Sequence, residues 1–329
     1  VEVSRRTVLA SACLLARGRA VAEPPAPRER QFDLWYEATV SNIPAGSRHL
    51  QFWTPVAHDD AFQKIARLGV EAPVPYSVKT GAHGNQILHV TEVPIGADYL
   101  SVKITFRATR RERLVRAIPS GSGSTTLTAH ERSACLQPDR LVPIDDTIRR
   151  WAREVTEAAN AHTDLEKARA IYNHVVATVK YDKSGKGWGR GDIYYACESR
   201  RGNCTDFHAI FIGYSRALQI PARFAIGFPV PAQRGEGRIS GYHCWAEFFA
   251  EGVGWVPVDA SEAAKDPNRR EYFFGALDEN RVEFSRGRDL VLTPPQQGEP
   301  LNYFVFPYAE IDSRTHTGIE TTVSYRDLG

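Results

Sequence analysis

The hydrophobic pattern of this chain changes period twice, and those changes restrict the fold more than any single motif. In Tyr99–Phe106 the apolar residues Leu100, Val102, Ile104 and Phe106 stand at every second position, the period of a half-buried strand. From about residue 143 the spacing becomes three and four, the period of a helix with one buried stripe. After Pro221 it returns to two, with Phe224, Ile226 and Phe228 alternating with Arg223, Ala225 and Gly227. Strands, then helices, then strands predict an α+β protein.

The segments follow from this pattern. Residues 31–130 hold short strands separated by turn signals and predict a β-sandwich. A glycine-serine break lies at 121–124. Residues 143–265 form the mixed unit, opened by a helix from Ile144 to Ala158. Thr163 and Glu166 make a capping box for a second helix, whose stripe is Leu165, Ala168, Tyr172, Val175 and Val179. Residues 266–329 are strand and loop, and are expected to pack on the mixed unit as a C-terminal extension.

The ends and the charge speak to location and partners. The net charge is +2, but residues 1–22 alone carry +3, so the rest is about −1 and has no basic run for nucleic acid. Ser4-Arg5-Arg6-Thr7-Val8-Leu9, the apolar run to Ala16 and the small residues Ala20-Val21-Ala22 fit a twin-arginine export signal, followed by a proline-rich linker at 23–30. An exported, periplasmic or secreted location is expected. No other segment has the apolar length to span a membrane. Four cysteines remain after residue 22, at 135, 197, 204 and 244. With Cys204 kept free for chemistry, a Cys135–Cys197 disulfide is possible.

The chemistry concentrates at residues 201–208, Arg-Gly-Asn-Cys-Thr-Asp-Phe-His. Phe207, Ile210, Phe211, Tyr214, Ala217 and Leu218 fall on one helical stripe that Pro221 ends. Asn203 is an N-cap, which places Cys204 at the first helical position. Unpaired N–H groups and the positive end of the dipole favour a thiolate there. A buried, inert cysteine is the plain alternative.

A base must come from elsewhere. Ala250-Glu251-Gly252 reads as a hairpin loop. Folding the strands about Glu251 sets His243 opposite Asp259, so the carboxylate can orient the imidazole. Cys204 would attack an acyl carbon, His243 would move the proton, and Asp259 would hold His243. Zinc is the competing chemistry, since Cys204 and His208 stand four apart on one helical face. No Cys-x-x-Cys pair supports it, and neither a metal nor any other cofactor is expected.

Three blocks carry a resemblance: 201–208 continuing through 215–223, Gly241-Tyr242-His243-Cys244-Trp245-Ala246-Glu247, and Gly254-Trp255-Val256-Pro257-Val258-Asp259. They resemble the transglutaminase-like superfamily, with its papain-like arrangement, and its bacterial branch in which the catalytic unit follows a β-rich N-terminal region. The resemblance implies Cys204, His243 and Asp259 as the triad. Trp188 is the nearest counterpart of the upstream tryptophan that supports the oxyanion in transglutaminases, although its local pattern departs from theirs. The calcium sites of animal transglutaminases have no counterpart. The implied activity acts on peptide or protein acyl groups through a cysteine thioester, by acyl transfer or amide hydrolysis. A cysteine protease with the same triad, or a binding module that kept the fold without the activity, are the alternatives. Oligomeric state is not readable.

Overall fold

The computed structural model describes residues 26–90, 98–115 and 126–328. The expected export signal, the first residues of the linker and the break at 121–124 lie outside the described residues. Among the described residues, no helix is long and apolar enough to cross a membrane.

The strand Glu29–Val40 shows how its sequence makes its structure. Phe32, Leu34, Tyr36, Ala38 and Val40 alternate with less buried residues and are all at most 1% exposed. Such a strand is twelve residues long and leaves both edges to be paired. On one side lies Leu100–Arg111, antiparallel, with Leu34 opposite Phe106. On the other lies Ile319–Asp327, with Phe32 opposite Asp327 and Val40 opposite Ile319. Gln63–Glu71 and Glu236–Arg238 complete a five-stranded sheet. A second five-stranded sheet joins Leu50–Val56, Gln86–Val90 and Tyr76–Thr80 to Tyr308–Ile311 and Arg314–His316. Leu50, Phe52, Leu88 and Val90 from this sheet share one core with the first.

The C-terminal extension therefore differs from its expected role. Its last strands belong to the two sheets of the N-terminal region, and the very last touches the mixed unit along one edge, where Ile319–Asp327 pairs with Glu236–Arg238. Half-buried strands carry few long apolar runs, because every second residue faces out, so the pattern of 266–329 shows strands without showing which unit they join. An earlier part of the same extension does join the mixed unit, where Arg281–Arg286 pairs with Ala222–Pro229.

The mixed unit is built on a four-stranded antiparallel sheet ordered Gly254–Val258, His243–Ala250, Ala222–Pro229, Arg281–Arg286. Helices cover one face. Asp146–Ala158 is capped by Asp145, and Asp164–Thr178 by the Thr163/Glu166 box. Cys204–Ala217 packs on the sheet, with Phe211 and Phe248 ring centres 6.0 Å apart. Phe228 and Phe284 meet edge-on at 5.0 Å, and Tyr36 of the first β-sheet lies 5.6 Å from Phe284. Each of these fully buried side chains contributes roughly 1.5–3 kcal/mol.

One buried charge ties the sheet to the chain before it. Glu247 is fully buried and accepts from Arg113 Nη1 at 2.6 Å and Arg223 Nε at 2.9 Å. Burial alone would favour the neutral acid. The two guanidiniums outweigh it and hold this carboxyl well below the usual carboxylate range.

Candidate active site

Cys204 opens the helix Cys204–Ala217 and is 1% exposed. The preceding cap is a network. Asn203 Oδ1 accepts from the Thr205 amide at 3.0 Å, while Asp206 Oδ2 accepts from the Asn203 amide at 2.9 Å. Asp206 also reaches the glycine-rich loop, accepting from Gly189 N at 2.7 Å through Oδ2 and from Gly191 N at 3.0 Å through Oδ1. Gly189 and Gly191 have φ of 86° and 63°, which lets the loop turn its amides onto one carboxylate. Burial pushes the Asp206 carboxyl up despite these donors.

His243 is the first residue of the strand His243–Ala250. Its Nε2 lies 2.7 Å from Asp259 Oδ2, which leaves Nδ1 for the Cys204 thiol beside it. The hairpin register differs from the expected one. Ala250 pairs with Gly254 and Ala246 with Val258, so the strands fold about Gly252, not Glu251. His243 and Asp259 are not direct cross-strand partners. They meet because the strand ends at Val258 and Asp259 turns out of it to cap the helix Ala260–Lys265.

The electrostatics follow from burial and pairing. Burial opposes ionisation of Cys204, but the Cys244 thiol and His243 outweigh it, and the Cys204 thiol is held well below its ordinary value. Burial disfavours a charged His243, but Asp259 and Cys204 overcome it and push it up to about 10. Asp259 is held well below the usual range despite burial, chiefly by His243 and Arg281. All three shifts favour charge separation, with the proton on His243 between a thiolate and a carboxylate.

The remaining sequence candidates have other places. His208 is fully buried, and its Nε2 accepts the Ala260 amide at 3.2 Å, which assigns the proton to Nδ1, 3.7 Å from Cys244 Sγ. His208 thus braces the site from behind. Trp188 stands on the glycine-rich loop with Lys183 Nζ 5.9 Å from its ring centre, and the loop joins the helix Cys204–Ala217 through Gly189 and Gly191. Cys135 and Cys197 are free and line different cavities, so the possible disulfide between them is not formed.

Sequence reading missed several neighbours of the site. Arg281 donates to Asp259 from outside the three motif blocks. Tyr303 donates to the Tyr242 hydroxyl at 3.3 Å, and Asn203 Nδ2 donates to the same hydroxyl at 2.9 Å. Arg288 Nη1 donates to the Gly191 carbonyl and Nη2 to the Arg190 carbonyl, both at 2.9 Å, and so clamps the loop from the C-terminal segment. The stretch from Phe274 to Leu290 resembles tails of the same bacterial branch, but nothing local assigns a role to Arg281, Arg288 or Tyr303, since each acts across a long stretch of chain.

Residues 149–260 match the family described as the transglutaminase-like superfamily. A Haemophilus influenzae protein named only as uncharacterized is 33% identical over 179 residues, covering 45% of this chain and 48% of its own length. The chain thus spans about half the length of that curated relative. The crystal structure of a candidate cysteine protease from Cytophaga hutchinsonii superposes with a TM-score of 0.60 at 17% identity, covering 92% of both chains. That likeness is one of fold, and it extends over the β-rich N-terminal region as well as the mixed unit. The likeness to the transglutaminase-like superfamily thus rests on residues 149–260, the segment that carries Cys204, His243 and Asp259.

Proposed function

We propose that this protein is a cysteine enzyme that acts on acyl groups of peptides or proteins through a thioester at Cys204. The observation that carries the reading is the 2.7 Å contact of His243 Nε2 with Asp259, with the thiol of a helix-opening cysteine on the other side of the imidazole. The Cys204 thiolate adds to the acyl carbon. The backbone N–H of Cys204, one of the unpaired donors at a helix start, supports the oxyanion. His243 gives its proton to the departing amine, and the carbon–nitrogen bond breaks as the thioester remains. His243 then takes a proton from the second nucleophile, which adds to the thioester and releases the thiolate.

An amine as second nucleophile gives acyl transfer, and water gives amide hydrolysis. The name of the Cytophaga hutchinsonii structure favours hydrolysis as the first outcome to test. Trp188 is the proposed further support at the oxyanion, and the twin-arginine pattern at 4–9 is the proposed export signal.

The test is incubation with a glutamine-containing peptide library, with and without a primary amine, read by mass spectrometry. Amine incorporation marks transfer, a gain of one mass unit marks deamidation, and new termini mark proteolysis. Each should vanish in Cys204→Ala. Product formation that persists in that variant removes Cys204 from the chemistry.

A further inference from the structure

Asp259 uses its two oxygens differently. Oδ1 accepts from the Ser261 hydroxyl at 3.0 Å and the Glu262 amide at 3.1 Å, which fixes the carboxylate to its own helix. Oδ2 accepts from two donors, His243 Nε2 at 2.7 Å and Arg281 Nη1 at 2.9 Å. Arg281 comes from the strand Arg281–Arg286, beyond the family-matched residues 149–260, and its side chain is 3% exposed. The rest of its fork is taken. Nη2 and Nε lie on Asp278 Oδ1 at 3.2 Å and 3.3 Å, and the guanidinium carbon is 5.1 Å from the Trp245 ring centre. A buried cation with a partner on each of its three nitrogens is thus aimed at the same oxygen that the imidazole uses.

We propose that Arg281 is a positioning residue of this site, which keeps Asp259 ionised and its Oδ2 turned to His243 throughout the reaction. This rests on the reading of Cys204 as the nucleophile. His243 changes charge during each cycle. When it has given its proton to the leaving group, Asp259 faces a neutral ring in a dry site, where a lone carboxylate is costly. A guanidinium does not lose its charge at any working pH, so it holds the anion through both halves of the reaction.

The other groups around Asp259 do not share that property. His208 Nε2 lies 3.9 Å from Oδ1, and burial disfavours its charged form. Glu262 stands 4.0 Å from His243 Nε2 and adds negative charge when ionised. The Tyr172 phenol and the Cys244 thiol lie near the carboxylate, and Asp278 lies behind Arg281 as a second anion.

The experiment follows alkylation of Cys204 by iodoacetamide from about pH 4 to about pH 9, mapped by peptide mass spectrometry, in the wild type, Arg281→Gln and Arg281→Lys. Loss of the cation raises the proton affinity of Asp259 and of the thiolate together. The acid limb in Arg281→Gln should therefore move up by about one pH unit, a roughly tenfold slower reaction on that limb. Arg281→Lys should recover most of the shift. Coincidence of the Gln and wild-type profiles overturns the proposal, as does a Lys variant no closer to wild type than Gln. Should Arg281→Gln fail to fold, the Lys variant decides alone, and a full one-unit shift in it refutes the charge-based role. Failure of the nucleophile reading looks different: wild-type Cys204 would then be alkylated no faster than Cys135 or Cys197 at the acid end.

Discussion

Asp206 offers the sharpest test of how the helix that opens at Cys204 is held. One carboxylate takes three amides: Gly189 at 2.7 Å and Asn203 at 2.9 Å on Oδ2, and Gly191 at 3.0 Å on Oδ1. The residue is fully buried, so Asp206→Ala leaves three amides without partners and no ready access to water. A buried donor left unpaired costs about 1–3 kcal/mol. Burial of the carboxylate itself is unfavourable, as its raised proton affinity indicates, and its removal offsets part of the loss. The net expectation for Asp206→Ala is about 3–4 kcal/mol. Asp206→Asn can keep the Oδ2 side for two amides but turns its own N–H₂ toward Gly191, so about 1–2 kcal/mol is expected. Urea unfolding measures both, as a lower midpoint with unchanged slope. An Ala variant within about 1 kcal/mol of wild type, or an Asn variant as damaged as Ala, refutes the three-amide account.

Three further outcomes follow from the same structure. Glu247→Gln leaves Arg113 and Arg223 without their shared anion, and should cost about 3–5 kcal/mol in urea unfolding. Because Glu247 has its folded proton affinity depressed, its contribution is present above the unfolded value of about 4.3 and fades as pH falls below it, so the wild-type and Gln unfolding midpoints should converge in acid. His243 has the opposite sign: with its folded value raised to about 10, its stabilisation is complete below about pH 6.5 and is lost as pH rises through about 10, and the alkaline limb of turnover should follow it. Gly227→Ala places a methyl group on the Val282 carbonyl of the neighbouring strand and should prevent soluble folding; a variant that melts within a few degrees of wild type contradicts the packing described.

Local signals in the sequence carried the parts of this fold that local physics decides. Asn203 as a cap, the Thr163/Glu166 box and the alternation in Leu100–Phe106 each specify their own few residues, and the structure has them in those roles. Register was less secure. A three-residue loop can be centred on Glu251 or on Gly252 without changing the apolar pattern much, and the choice moved the partner of each residue by two. The pairing of the tail with Glu29–Val40 was hidden for a different reason: a half-buried strand states which face it buries but not against which other strand. Arg281 was hidden likewise, since an arginine in a strand is usually a solvated residue and only the three-dimensional neighbour Asp259 gives it meaning.

The pairing of Glu29–Val40 with Ile319–Asp327 has a consequence for how the protein is made. Arg30, 1% exposed, grips Asp327 with two hydrogen bonds of 2.8 Å, so one of the first strands and the last strand close on each other. The last partner leaves the ribosome about 290 residues after the first. At about 5–20 residues per second this is a wait of roughly 15–60 s, during which one long edge of an apolar strand has no mate. Arg281, Arg288 and Tyr303 arrive in the same late stretch. A nascent chain therefore carries Cys204, His243 and Asp259 before the residues that brace them, and a chain that stopped short of Arg281 would lack that bracing altogether.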